Sequence, residues 1–248
     1  MPILGIDFGG SGIKGALVNE ETGEMISDRF RIPTPDKAMP DDVANVVSEI
    51  VKHFDYKGPV GIGLPAAILH GVAYTAANID ESWIGINTED LFKKATGCDC
   101  YVVNDADAAG VAEMSFGIGK EEKEGVVLFL TLGTGIGSAL FIDRRLVPNT
   151  ELGHIEVRGK DAEKRASDAA RKKKGLNWED WAARLQEVLN KLDALFWPDL
   201  FVLGGGISKD WEKFVPFLKL RPKVVPAELF NQAGIVGAAM YAWQKSRA

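Results

Sequence analysis

Residues 126–143 read VVLFLTLGTGIGSALFID. The apolar run Val126-Val127-Leu128-Phe129-Leu130 is a buried strand, and Thr131-Leu132-Gly133-Thr134-Gly135-Ile136-Gly137-Ser138 is a glycine turn. Ala139-Leu140-Phe141-Ile142-Asp143 is the strand that returns, giving a β-hairpin with a glycine tip. The same pattern opens the chain. Ile3 to Asp7 is an apolar strand, Asp7-Phe8-Gly9-Gly10-Ser11-Gly12-Ile13-Lys14 is a glycine turn, and Gly15 to Asn19 returns. A shift of 124 positions lays Gly9 on Gly133, Leu17 on Phe141 and Val18 on Ile142. That period is far too long for a solenoid. The expectation is an α/β fold made of two copies of one hairpin-led unit, with a cleft between two lobes. Opposed glycine turns, whose backbone N–H groups can approach closely, suit the two ends of a phosphate chain.

Between the hairpins lies Asn104-Asp105-Ala106-Asp107-Ala108-Ala109-Gly110, which follows the apolar Tyr101-Val102-Val103. A buried strand there delivers Asn104 and Asp105 to a helix start. A carboxylate so placed can orient a hydroxyl and accept its proton; the plainer alternative is that Asp105 or Asp107 caps the helix. Asp7 ends an apolar strand, where aspartate is poorly suited, and a hydrated Mg²⁺ is a partner that would explain it.

The rest of the chain supplies helices and further loops. Asp41 to Phe54 has helical spacing, with Asp41 or Asp42 as cap. Val60 to Pro65 is a glycine-rich strand, and Thr88 to Thr96 a helix stopped by Gly97. In the loop between them, Asn78 can bond a polyhydroxylated ligand and Trp83 can wall a pocket, or the two are a turn residue and a core residue. Glu151-Leu152-Gly153-His154 places one of three histidines beside a carboxylate. Trp178 to Trp197 is a long amphipathic helix. Gly204-Gly205-Gly206 is a third glycine turn after the strand 199–203, and Asn231 to Gln244 is a last helix with a small-residue face.

Charge separates one segment from the remainder. The chain of 248 residues has a formal net charge of −6, which argues against general nucleic-acid binding. Arg158 to Lys174 nevertheless holds eight basic residues against three acidic ones. As a single helix it would place Lys160, Lys164 and Arg171 on one face, with Arg165 and Lys172 alongside. Such a run is either a solvated face or a track for an extended polyanion made by Lys160, Lys164, Arg165, Arg171, Lys172, Lys173 and Lys174. No apolar run approaches the ~20 residues of a membrane span, and Met1 to Asp7 has no signal-peptide character. With only Cys98 and Cys100 as thiols, a reducing cytoplasmic location is expected.

The ordered motifs DFGGSGIK, VVNDADAAG, LTLGTGIGSAL, ELGH and LGGGIS resemble the ROK group of sugar kinases, which has the duplicated, two-lobed actin-like (ribonuclease H-like) α/β fold. The resemblance covers Ile3 to about Ala239. It implies lobes of residues 1–103 and 104–230, the helix 231–245 packing back on the first. Asp105 is implied as catalytic base. Asn78, Asn104, Asp105, Glu151, His154 and Glu163 are implied as sugar contacts. Asp7 is implied near a Mg²⁺, through water. Gly9, Gly10, Ser11, Gly12 and Lys14 correspond to a first phosphate loop. Thr131, Gly133, Thr134, Gly135 and Gly137 correspond to a second, and Gly204, Gly205 and Gly206 to a nucleotide-side loop.

Many ROK proteins carry a cysteine-rich zinc motif after Glu-x-Gly-His. No cysteine follows Cys100 here, so no zinc is expected. The stretch GKDAEKRASDAARKKKGLNW at 159–178 stands in its place, and with AANIDESWIG at 76–85 it resembles the family's polyphosphate-dependent glucokinase branch. The implied function is phosphoryl transfer from inorganic polyphosphate, with ATP as a further donor, to the 6-hydroxyl of glucose. The implied protein is a homodimer with neither nucleic-acid nor membrane partners. An ATP-only sugar kinase, a non-catalytic sugar sensor and an actin-like structural ATPase are the alternatives. Intact Asp105 speaks against the sensor, and the compact length and sugar-type residues against the structural ATPase.

Overall fold

The structure is a computed structural model that describes residues 1–76 and 79–247. In chain order the elements are β1 Ile3–Gly9, β2 Gly12–Val18, β3 Phe30–Ile32, α1 Pro40–His53, β4 Val60–Leu64, β5 Ile68–Leu69, β6 Val72–Ala73, α2 Thr88–Thr96, β7 Cys100–Asn104 and α3 Asp105–Phe116. They continue as β8 Val126–Leu132, β9 Ile136–Ile142, β10 Arg145–Val147, β11 Glu156–Val157, β12 Lys160–Asp161, α4 Ala162–Ala166, α5 Asp168–Lys173, α6 Trp178–Phe196, β13 Leu200–Gly204, α7 Trp211–Phe214, β14 Lys223–Pro226 and α8 Ala233–Lys245. Two compact units result: Met1–Phe116 with Gln232–Ala248, and Gly117–Asn231.

In the first unit, the sheet order is β3-β2-β1-β4-β7. β1 pairs antiparallel with β2 and parallel with β4, which is parallel to β7. Side chains alternate across these strands. Leu4, Ile6, Phe8, Val60, Ile62 and Leu64 join Val43, Val47, Ile50 and Trp83 in one core. The opposite face of β1 and β4 presents Gly5 and Gly61, and α8 lies against it. A Cβ on Gly61 would stand 1.8 Å from the Ala238 carbonyl oxygen. One on Gly237 would stand 1.6 Å from that of Ala108 in α3. The small-residue face of the last helix thus brings backbone against backbone. That packing also assigns α3 to the first unit, so the division falls after Phe116 and not at 103.

The second unit has the sheet order β10-β9-β8-β13-β14, the same arrangement in its own numbering. Here α6 lays Trp181, Leu185, Val188, Leu189 and Leu192 on Leu128, Leu130, Phe201 and Leu203. Trp181 is fully buried and donates its indole N–H to the Ala166 carbonyl at 3.0 Å.

Three local expectations are corrected, and one open alternative is decided. The two hairpins do not superpose under one shift: Gly9 pairs with Gly12 across a two-residue loop, whereas Leu132 pairs with Ile136 across three residues. Neither Asp41 nor Asp42 caps α1. Met39 occupies the cap position without a side-chain bond, and both aspartates lie in the first turn, favourable to the helix dipole. Of the two readings of Trp83 the core residue is the one found, fully buried and donating to the Ala38 carbonyl at 2.8 Å. The basic segment is not one helix. Extended Ser167 separates α4 from α5, capping α5 by accepting the Ala170 N–H at 3.1 Å. Lys160 lies before both helices in β12, so the single face shared with Lys164 and Arg171 does not exist.

Candidate active site

Within the first unit, the C-terminal ends of the parallel strands carry the candidate residues. Asp7 is in register with Gly63, and Gly63 with Val103. Two inter-strand steps put Asp7 about 10 Å from the end of β7, where Asn104 and Asp105 follow. Asn104 is buried, and its amide oxygen accepts the N–H groups of Ala106 at 2.8 Å and Asp107 at 3.1 Å. Its amide nitrogen donates to the Ala66 carbonyl at 3.2 Å. The cap of α3 is therefore neither aspartate alternative but Asn104. Asp105 is half-buried at the helix start, its carboxylate accepting the Ala106 N–H at 2.8 Å. Asn78 lies outside the described residues.

Asp7 and Lys14 face each other across the hairpin, Nζ to Oδ2 3.4 Å, both partly exposed. Helix α8 comes so close that a Cβ on Gly234 would lie 2.8 Å from Asp7 Oδ1. The tip, Gly10-Ser11, is exposed, and a Cβ on Gly10 would meet nothing within 4 Å. Gly12 is different: its Cβ position lies 2.4 Å from Arg31 Nε, and Arg31 donates to the Ser11 carbonyl.

The second unit repeats this division of labour. At the tip of its hairpin a Cβ on Gly133 would meet nothing within 4 Å, while one on Gly135 would stand 2.5 Å from Glu163 Oε2. Thr131 at the end of β8 is in register with Gly204 of β13, so the second and third glycine turns lie side by side. Gly205 has φ +84° and its Cβ position is 2.8 Å from the Leu132 backbone, a fit only glycine makes easily. Gly206 next to it is open. Gly137 lies in β9 opposite Thr131, and Thr134 is exposed at the tip.

Glu151 and His154 are tied to the same hairpin. Ser138 of β9 donates to the Thr150 carbonyl and accepts the Leu152 N–H at 3.0 Å. A Cβ on Gly153 would stand 2.1 Å from the Ile136 carbonyl oxygen, so the Glu-x-Gly-His turn needs its glycine to sit against β9. His154 is exposed, with Nε2 4.0 Å from Glu151 and Nδ1 3.9 Å from Asp161. One ligand atom each of His154, Asp161 and Glu163 lie within 4.8 Å of one another. The fold thus brings Glu151, His154 and Glu163 together beside the second glycine turn. Asp161 joins them unforeseen, because it closes the short β11–β12 hairpin that its sequence does not announce. It also pairs with Lys164 at 2.7 Å, which holds its carboxyl below the usual range.

The basic segment is tied to this turn near its middle, where Ala169 of α5 donates to the Gly133 carbonyl at 3.0 Å. Several of its cations already have carboxylates: Lys164 on Asp161, Arg171 and Lys172 on Asp168, and Arg165 with Arg158 on Glu187 of α6. Arg171 also lies 4.0 Å over the Trp178 ring.

A model of the ROK family matches residues 3–170. Polyphosphate glucokinase of Mycobacterium tuberculosis is 49% identical over 238 residues, 96% of this chain and 89% of that one. The chain belongs to the ROK family. Among solved ROK-type structures, inorganic polyphosphate/ATP-glucomannokinase from Arthrobacter sp. strain KM matches with TM-score 0.93 at 45% identity, over 98% of this chain and 99% of that one. A ROK family glucokinase from Streptomyces griseus, in complex with glucose and AMPPNP, matches with TM-score 0.81 at 25% identity over 98% and 100%. ROK membership makes the α/β fold that of the actin-like ATPases.

Proposed function

We propose that this chain transfers a phosphoryl group from inorganic polyphosphate, and from ATP, to the 6-hydroxyl of glucose. The observation that carries the reading is a half-buried Asp105 at the head of α3, with the cap supplied by Asn104, in a chain so similar to polyphosphate glucokinase. Asp105 accepts the proton of the attacking hydroxyl and orients it. Glu151, His154 and Glu163 hold ring hydroxyls, with Asn78 and Asn104 completing the set. Sites that bond several hydroxyls discriminate strongly against acceptors that lack them, which disfavours water.

The glycines whose Cβ positions are open, Gly10, Gly133 and Gly206, leave the room a phosphate needs to reach backbone N–H groups. The neighbouring Gly9, Ser11, Gly12 and Lys14, Thr131, Thr134, Gly135 and Gly137, and Gly204 and Gly205 shape the three loops. Asp7 fits a Mg²⁺ bound through water, being a partly exposed carboxylate confined by Gly234 on one side. Magnesium would neutralise charge on the transferring phosphate, a task that Lys14 shares. The third turn supports ATP as an alternative donor.

Glucose 6-phosphate formation, measured with glucose, Mg²⁺ and each donor separately, tests the reading. Turnover with both donors is expected. Turnover with ATP alone would leave an ATP-only glucokinase, and none with either would leave a sugar sensor. The same reading places the enzyme in the cytoplasm as a homodimer without zinc; light scattering and metal analysis of the purified protein check the last two.

A further inference from the structure

The seven cations of the basic segment are not equivalent, and the structure adds an eighth from elsewhere. Lys160, Lys173 and Lys174 have no carboxylate within ion-pair distance among the described residues, and neither does Arg184 of α6. Arg184 is half-buried and three residues before Glu187, so the two share a helix face. Glu187 holds Arg165 of α4 against that face. Lys174 folds back on α4 from the other direction, donating from Nζ to the Lys164 carbonyl at 2.7 Å. The α4–α6 junction therefore holds Arg184 and Lys174 with no carboxylate of their own, and Lys160 in β12 and Lys173 in α5 are near enough for their charges to act on Lys174.

Burial and neighbouring charge both act on Lys174. Desolvation, then the charges of Arg184, Lys160, Arg165 and Lys173, hold its ammonium below the usual lysine range. A fold that spends its acids on Lys164, Arg165, Arg171 and Lys172 while leaving these cations crowded favours an external anion there. From the Gly133 turn, α5 leads to this junction over six residues, about 9 Å of helix. An anion reaching from one to the other must be extended and charged along its length.

We infer that Arg184 is a polyphosphate-binding residue, acting with Lys160, Lys173 and Lys174 on the part of the chain beyond the phosphates held at the glycine turns. The inference rests on the polyphosphate reading above. It separates the donors, because ATP is too short to need the junction.

The test compares wild type, Arg184→Gln and Lys191→Gln, the last removing one exposed charge from the same helix. Binding of end-labelled long-chain polyphosphate is titrated over a range of salt, and KM is measured for long polyphosphate and for ATP. Arg184→Gln is expected to flatten the slope of log affinity against log salt by about 0.7, one contact's worth on a single-stranded polyanion. It should also raise the polyphosphate-to-ATP ratio of KM, while Lys191→Gln changes neither. An unchanged slope and ratio in Arg184→Gln would overturn the inference while leaving the polyphosphate reading intact, as would equal changes in Lys191→Gln. Absence of polyphosphate binding and turnover in wild type would instead remove the parent reading. Equal-charge RNA binding as tightly, with the same loss in Arg184→Gln, would overturn the inference in favour of a nucleic-acid surface.

Discussion

The two units have the same strand order, and a helix with large side chains covers one face of each sheet, α1 in the first and α6 in the second, but the first adds a contact of another kind. In the second, α6 meets the sheet through large side chains, Trp181, Leu185 and Leu189 among them. In the first, α8 meets Gly5 and Gly61, and its own Gly234 and Gly237 meet Asp7 and α3. Large side chains adjust their rotamers when a neighbour moves; backbone against backbone does not. The stiff contact lies beneath Asp7 and the helix headed by Asp105, the residues assigned to the metal and the proton. The second unit, packed through large side chains, carries the sugar-binding candidates Glu151, His154 and Glu163 and the basic segment. The difference suggests that rigidity is concentrated where charge must be aimed.

The sharpest way to break this division is at the proton acceptor. Asp105→Asn should lower kcat by about 10²–10⁴ with either donor and leave glucose affinity, measured by calorimetry, within a few-fold. Glucose phosphorylation at the wild-type rate would remove Asp105 from its role. Next in size are two opposite lesions. Leu185→Ala removes packing from the second unit and should cost about 2–5 kcal/mol in denaturant unfolding. Gly237→Ala adds one carbon to the first, at a point 1.6 Å from a carbonyl oxygen, and should cost about 1–3 kcal/mol. If Gly237→Ala proved neutral, the helix would have room to withdraw and the claim of stiffness would fail. The smallest stability effect is expected at an open turn. Gly133→Ala should shift stability by no more than about 0.5 kcal/mol. Through the backbone contact it obstructs, donor KM should rise between about twofold and tenfold. A donor KM unchanged in steady-state assays would show that phosphate does not approach Gly133.

Much of this contrast was legible in the residues. Val60-Gly61-Ile62-Gly63-Leu64 alternates large side chains with glycine, announcing a strand with one packed face and one face open to a close neighbour. The run Ala233 to Ala239 is poor in bulk for a matching reason. The glycine turns, α2 with its Gly97 stop and α6 were equally plain, because local chemistry alone decides them. What escaped depends on contacts between distant residues. No local signal says that Asn104 rather than Asp105 is the residue that accepts both the Ala106 and the Asp107 N–H groups, since both are good caps. Ser167 breaks the basic segment, but a serine within a helical pattern is a weak punctuation mark. Asp161 and Arg184 are ordinary surface charges until β12 and α6 bring them beside His154 and Lys174.

The first unit is assembled from two separated pieces of chain, residues 1–116 and 232–248, with the whole second unit between them. Synthesis on the ribosome runs from the N-terminus, and domains generally fold as they emerge. The sheet bearing Asp7 and Asn104 is therefore made before α8 and keeps one face uncovered until that helix emerges. The order of translation acts as a timer: the glycine face of the first sheet gains its cover only when α8 arrives, a whole unit later in the chain. Translation arrested before Ala233 should recruit chaperones to the glycine face of β1 and β4.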